Sequence, residues 1–288
     1  MLLIFYYIEA GKESLQSESR NLKFMWEKIS DNESGIQETH WCAGSRAQKC
    51  DIVSWKIVDH ELKEVLYTLS NPLPSGSLVF ITLKSKNGAG MTSSITSPAI
   101  KIDSSPPVPG RVTVGNSLEM FYLRDEESLI ADWNGFSDKE SGIHHYEWAI
   151  CLRTWPENCV TQYTEIGTKT SLESKPVGLK PGKTYVLTIR AYNNINLHTQ
   201  ALSNPFILDD SAPLAGAVFD GTAYDRDITI QSSTSEISAN WDPFRDPQGR
   251  LVEYSMCVGS AASECDVSPF VSVGHDVTGA ISGNKSSA

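Results

Sequence analysis

The sequence predicts an all-β chain of tandem β-sandwiches, the last of them incomplete. Three observations lead there: a repeat of about 105 residues marked by tryptophan, alternating apolar residues around each mark, and turn-forming residues between short apolar runs. Leu22 to Ile36 reads LKFMWEKISDNESGI, Leu129 to Ile143 reads LIADWNGFSDKESGI, and Ile237 to Leu251 reads ISANWDPFRDPQGRL. Their tryptophans, Trp26, Trp133 and Trp241, are 107 and 108 residues apart. So constant a period marks a repeated structural unit.

Within each unit the apolar residues alternate, the period that turns one face of a strand toward a core. Leu129, Ala131 and Trp133 share a face, and after a turn rich in Asp, Ser and Gly the next strand opens with Ile143, Tyr146 and Trp148. In that turn Asp138 is expected to cap the backbone two residues on, and Gly142 to take a positive φ without a Cβ clash. Trp26, Trp133, Trp241 and Tyr146 are therefore assigned to cores, with Trp41 and Trp148 at equivalent places on the third strand. Many short strands with regular turns and almost no helical periodicity complete the all-β reading.

The most specific stretch is Leu179 to Asn193, LKPGKTYVLTIRAYN. It resembles the sixth strand of a fibronectin type III domain, an Ig-like sandwich, in Leu179, Pro181, Gly182, Tyr185, Leu187, Ile189, Ala191 and Asn193. Trp133 resembles that family's core tryptophan. The resemblance implies that Tyr185 forms a tyrosine corner, its hydroxyl bonding back to backbone near Leu179. The first repeat follows as Leu73 to Asn87, LPSGSLVFITLKSKN, with Val79 at the tyrosine position and so no corner bond. The resemblance covers the second unit, most of the first and the front half of the third, and points to the tandem repeats of animal extracellular and cell-surface proteins.

Boundaries follow from the same alignment. Asp103-Ser104-Ser105-Pro106-Pro107 and Asp209-Asp210-Ser211-Ala212-Pro213 stand at equivalent places, and proline makes such connectors stiff and extended. The expected units are residues 1–102, 103–209 and 210–288, strung end to end. Trp133 is followed by 209 − 133 = 76 residues before Asp209, but Trp241 by only 288 − 241 = 47, so the third unit is expected to lack its last two or three strands. The apolar Met1 to Ile8 (MLLIFYYI) has no basic residue before it and no small-residue cleavage site, and reads as a first strand rather than a signal peptide.

Six cysteines form three pairs, Cys42 with Cys50, Cys151 with Cys159, and Cys257 with Cys265, each with seven residues between. Cys42 and Cys257 lie 16 residues beyond their tryptophans and Cys151 lies 18, so strand parity is kept and all three share a sheet face. Local disulfides across the hairpin of strands three and four satisfy the spacing, with buried free thiols as the alternative; zinc sites favour tighter spacing. Disulfides imply an oxidising, extracellular or cell-surface location. Fibronectin type III domains usually have none, which makes the chain a variant of that pattern. Asn32 and Asn284 match the N-glycosylation acceptor pattern, Asn32 in an exposed turn.

The net charge of −11, scattered over loops, argues against nucleic acid and anionic membranes as partners. No window holds the roughly 20 apolar residues of a membrane-spanning helix. Among six histidines only His144 and His145 adjoin, and neighbours on a strand are expected to point to opposite faces and so not to act together. No catalytic motif occurs, so no catalytic, cofactor or metal residue is assigned and the chain reads as a non-enzyme. Calcium is the one ion with candidate ligands: Asp31 and Glu33, Asp138 and Glu140, and the linker acids Asp103, Asp209 and Asp210, without a full calcium-loop series. Trp155, between Cys151 and Cys159, reads as a binding anchor or a residue folded onto its own sheet. The sequence thus implies a non-catalytic interaction, adhesion or spacer segment of a longer repeat protein. Its partners would be neighbouring repeats and an extracellular protein or glycan. The alternative is an accessory ectodomain stretch of a receptor or secreted enzyme.

Overall fold

A computed structural model describes residues 14–282 apart from 27–28, 117–118, 125–126, 155–157 and 176–177. Met1 to Ile8, Trp155 and Asn284 lie outside the described residues. Every regular element among those described is a β-strand. No described helix is long and apolar enough to cross a membrane.

The first group of strands is β1 (Ser14–Gln16), β2 (Asn21–Met25), β3 (Ile36–Gly44), β4 (Val53–Val58), β5 (Glu64–Thr68), β6 (Leu78–Asn87), β7 (Thr92–Thr96) and β8 (Ile100–Ile102). β2 pairs with β5; β1, β8, β6, β3 and β4 form a second sheet in that order, with β7 on β6. Leu22, Phe24, Trp26, Trp41, Ile81 and Leu83 belong to the single core these strands enclose.

The second group is β9 (Arg111–Val114), β10 (Phe121–Leu123), β11 (Leu129–Asn134), β12 (Ile143–Leu152), β13 (Asn158–Cys159), β14 (Thr164–Gly167), β15 (Ser171–Ser174), β16 (Thr184–Asn193), β17 (His198–Leu202) and β18 (Phe206–Leu208). A three-stranded sheet, β15-β11-β9, belongs to the same core as the sheet β10-β18-β16-β12-β13. Strand parity on β11 decides what enters that core. Leu129, Ala131 and Trp133 are buried, whereas Ile130, Asp132 and Asn134 are exposed. Trp133 meets Tyr146 edge-on at 5.7 Å between ring centroids. The Tyr185 hydroxyl accepts the Lys180 amide at 2.7 Å, while Val79 at the matching place is fully buried with no such bond to make.

The third group is β19 (Val218–Asp220), β20 (Glu236–Trp241), β21 (Tyr254–Val258), β22 (Ser268–Gly274) and β23 (Thr278–Ser282). It makes the sheets β19-β20-β23 and β21-β22. β12 gives one edge to β16, and β3 gives the same edge to β6; β21 has no such partner among the described residues. A cleft of about 450 Å³ is left between the sheets, lined by Trp241, Phe244, Tyr254, Met256 and Val258 among others.

All three core tryptophans are buried, yet the indole N–H of Trp26, Trp133 and Trp241 finds no acceptor among the described residues. Their contribution is apolar area and shape, not a hydrogen bond.

Candidate functional site

Catalysis needs a nucleophile or a matched acid and base, and the described cysteines supply no free thiol, since all six are in disulfides. The bonds are Cys42–Cys50, Cys151–Cys159 and Cys257–Cys265. Tyr146, Trp148 and Ile150 of β12 belong to the Trp133 core, and the alternate residues Ala149 and Cys151 form a small cluster with Val186 on the other face. The Cys151–Cys159 bridge thus stands on the face of β12 away from Trp133.

The hairpin tips that the bridges close share a device that sequence reading missed. In the first unit it reads Cys42-Ala43-Gly44-Ser45 with Lys49-Cys50-Asp51, and in the third Cys257-Val258-Gly259-Ser260 with Glu264-Cys265-Asp266. A Cβ on Gly44 would lie 1.6 Å from the Lys49 carbonyl oxygen, and one on Gly259 2.0 Å from that of Glu264, so only glycine permits the approach. Asp51 accepts the Ser45 amide and hydroxyl at 2.8 Å each, and Asp266 accepts those of Ser260 at 2.7 Å. The Ser45 amide, Lys49 and the Ser45 hydroxyl hold the Asp51 carboxyl far below its ordinary pKa. The signal was in the sequence as a second repeat nested inside the first, Cys-x-Gly-Ser followed by Cys-Asp.

The carboxylates considered for calcium meet at the first linker. Asp103 is fully buried; its amide donates to the Gln16 carbonyl of β1, while its carboxylate accepts the Ser141 hydroxyl and the Asn193 side-chain amide. One residue therefore ties the end of the first group of strands to the turn before β12 and to β16 of the second. Asn193 also donates to Asp138 at 3.1 Å. Asp138 accepts the amides of Ser141 and Gly142, three and four residues on, rather than two as the turn pattern implies. Burial would raise Asp138, but the Ser141 amide, the Asn193 side chain and the Gly142 amide outweigh it and hold its pKa below the ordinary value. Gly142 takes φ +81°, as the turn requires. Asp103, Asp138 and Glu140 offer ligand oxygens within 4.8 Å of one another. The residue type is right for a hard cation, and Asp103 and Asp138 also accept hydrogen bonds from Ser141 and Asn193. The second linker repeats the scheme in part: the Asp209 amide donates to Leu123, and the Asp210 amide donates to Gln248 at 3.0 Å. Asp31, Glu33 and Asn87 reproduce the turn in the first unit, where Asn87 donates to Asp31 and Asn32 is exposed beside them.

Two surface features differ from the sequence expectation. Strand alternation puts His144 and His145 on opposite faces, but their Nδ1 atoms are 2.7 Å apart. The cause is a β-bulge: Ile143 pairs with Asn193 and His145 with Tyr192, so two steps along β12 match one along β16. The extra residue, His144, is released from strand alternation and its ring turns toward its neighbour. Trp55, unremarked in the sequence, is 44 % exposed and Ile57 75 % exposed on the edge strand β4. Both share parity with buried Val53, but a register shift between Trp41 and Ala43 puts Ile57 opposite His40 on the outer face. Trp148 is half-buried and packs against the Trp133 core.

These strand orders, a two- or three-stranded sheet opposed to a longer one centred on β6 in the first group and on β16 in the second, define the chain as a tandem of β-sandwiches. Within that class they are fibronectin type III-like, with a local disulfide in each unit. The chain matches no protein-family model, and no curated protein matches it. Among solved structures it is similar to the FN1-FN3 domains of chicken CNTN1, at 13 % identity and a TM-score of 0.31, over 93 % of this chain and 85 % of that one. It is also similar to fibronectin(III)-like modules of Clostridium thermocellum CbhA, at 10 % identity and a TM-score of 0.37, over 73 % of this chain and 95 % of the other.

Proposed function

We propose that the chain is a non-catalytic extracellular spacer and interaction segment, with modules at residues 1–102, 103–209 and 210–288 joined end to end by clamped linkers. The observation that carries the reading is Asp103: a buried carboxylate bonded to the following sandwich, with its own amide bonded to the preceding one. A flexible tether does not bury a charge, because an unpaired one is costly; a fixed joint does. The three disulfides support an oxidising compartment. N-glycans at Asn32 and Asn284 and an aromatic anchor at Trp155 belong to the same proposal, the partner being an extracellular protein or glycan.

The test is the stiffness of the joint. By NMR relaxation, the cores at residues 22–102 and 112–208 should tumble with one correlation time in the native chain and with two in Asp103→Ala. Independent tumbling in the native chain would sink the spacer reading. Peptide mapping of protein secreted from cells should recover the three local bridges and glycans on both asparagines, and unmodified, reduced protein would count against the compartment.

A further inference from the structure

We propose that His144 and His145 form a binding site for a transition-metal ion of the tetragonal class, Cu(II) or Ni(II), with their two Nδ1 atoms as its protein ligands. Two ring nitrogens facing each other at 2.7 Å cannot both present lone pairs to the gap. One ring must carry a hydrogen on its Nδ1 and donate it to the other, and a metal ion that displaces that hydrogen gains both lone pairs. Imidazole nitrogen suits copper, nickel and zinc, not calcium or magnesium.

Distance then discriminates among those metals. With metal–nitrogen bonds of about 2.05 Å, donors at a right angle are about 2.9 Å apart and donors at the tetrahedral angle about 3.3 Å. The observed 2.7 Å is a small opening from the first and a large one from the second, which favours square-planar or tetragonal ions over zinc. Rotation of the exposed His144 ring supplies the opening.

The site is also braced. The His145 ring lies 4.5 Å from that of Tyr192 at an interplanar angle of 7°, a stacked pair set by their direct register across β12 and β16. Tyr192 in turn faces His198 of β17 at 4.9 Å between centroids, so a ladder across three strands fixes one ligand before the metal arrives. Such a stack holds the ligand ring in orientation. No third His, Cys, Asp or Glu of the described residues closes the site. The remaining coordination positions face solvent, open to water or to a donor from another molecule. The bulge recurs in the first unit, where Ile36 pairs with Asn87 and Glu38 with Lys86, but Gln37 and Glu38 stand there in place of the two histidines. The site is thus confined to the second unit.

The experiment is a titration of the full, disulfide-bonded chain with CuCl2 against a glycine competitor, followed by electron paramagnetic resonance. The expected result is one tightly held equivalent with hyperfine coupling to two imidazole nitrogens. His144→Asn and His145→Asn should each lower affinity by at least about tenfold, while His198→Asn leaves both nitrogens coupled. Both targets are on the surface, and matching thermal unfolding curves would establish that the variants fold. As a second measurement on the native chain, Cu(II) should broaden the Tyr192 ring protons at substoichiometric addition. Copper uptake unchanged in both His144→Asn and His145→Asn, or broadening that spares Tyr192, would overturn the proposal.

Discussion

Replacing Trp133 tests the register on which the second sandwich is built. Trp133 is 2 % exposed, and Ile130 on the same strand is 59 % exposed, because parity sends them to opposite faces of β11. Trp133→Ala should destabilise residues 103–209 by about 3 to 5 kcal/mol, the cost of emptying a large aromatic site. Ile130→Ala should cost under about 1 kcal/mol. Trp133→Phe isolates area from polarity. The indole N–H has no acceptor to lose among the described residues, so the cost should be only the missing apolar area and the small cavity left, about 1 to 2 kcal/mol. Urea unfolding of residues 103–209 and of the three variants gives the differences, read from midpoints at constant slope. Equal, small losses for Trp133→Ala and Ile130→Ala would refute the register, since a slip of one residue exchanges the two faces. A Phe variant as damaging as Ala would show instead that the indole N–H is bonded.

Residues 103–209 alone should unfold in one cooperative transition, whereas residues 210–288 alone should not, because among the described residues β21 lacks the strand that β16 gives to β12; a cooperative transition in the latter, followed by circular dichroism, would contradict this. Tyr185→Phe should cost about 1 kcal/mol, the low value fitting a Lys180 amide that water can reach, and a neutral result in urea unfolding would remove the corner bond. Gly44→Ala should open the first hairpin tip and leave Cys42 and Cys50 reactive to thiol reagents, as the 1.6 Å approach demands; complete oxidation of the variant would oppose it. Asp138 and Asp31 both have folded-state pKa values below the ordinary ones, Asp31 through the Ser34 amide and Asn87. They add stability above the unfolded pKa near 3.9, and it is lost as pH falls through the lower folded values. The thermal midpoint should therefore drop below about pH 4, less steeply in Asp138→Asn, and equal slopes would argue against the assignment.

The sandwiches were legible in the sequence because their determinants are local and periodic: Trp26, Trp133 and Trp241 keep their spacing, and LIADWN and TYVLTIRAYN display the two-residue alternation of half-buried strands. What was not legible depends on a second strand. The bulge that joins His144 to His145 is a mismatch between β12 and β16, which periodicity along β12 does not contain. Trp55 was hidden the same way, by a register shift that reverses parity within β4. The Asp103 clamp brings together residues 38 and 90 positions apart, and sequence reading could supply the carboxylates but not Ser141 and Asn193 as their donors.

The position of the disulfides has a consequence for the life of the molecule. Because each bridge joins two neighbouring strands of one hairpin, its reduction breaks no tie between the opposed sheets. Damage at a bridge stays at a tip of a few residues. The thiol state of this protein is therefore a record of the chemical surroundings it has passed through, kept at three hairpins while the folded body stays intact.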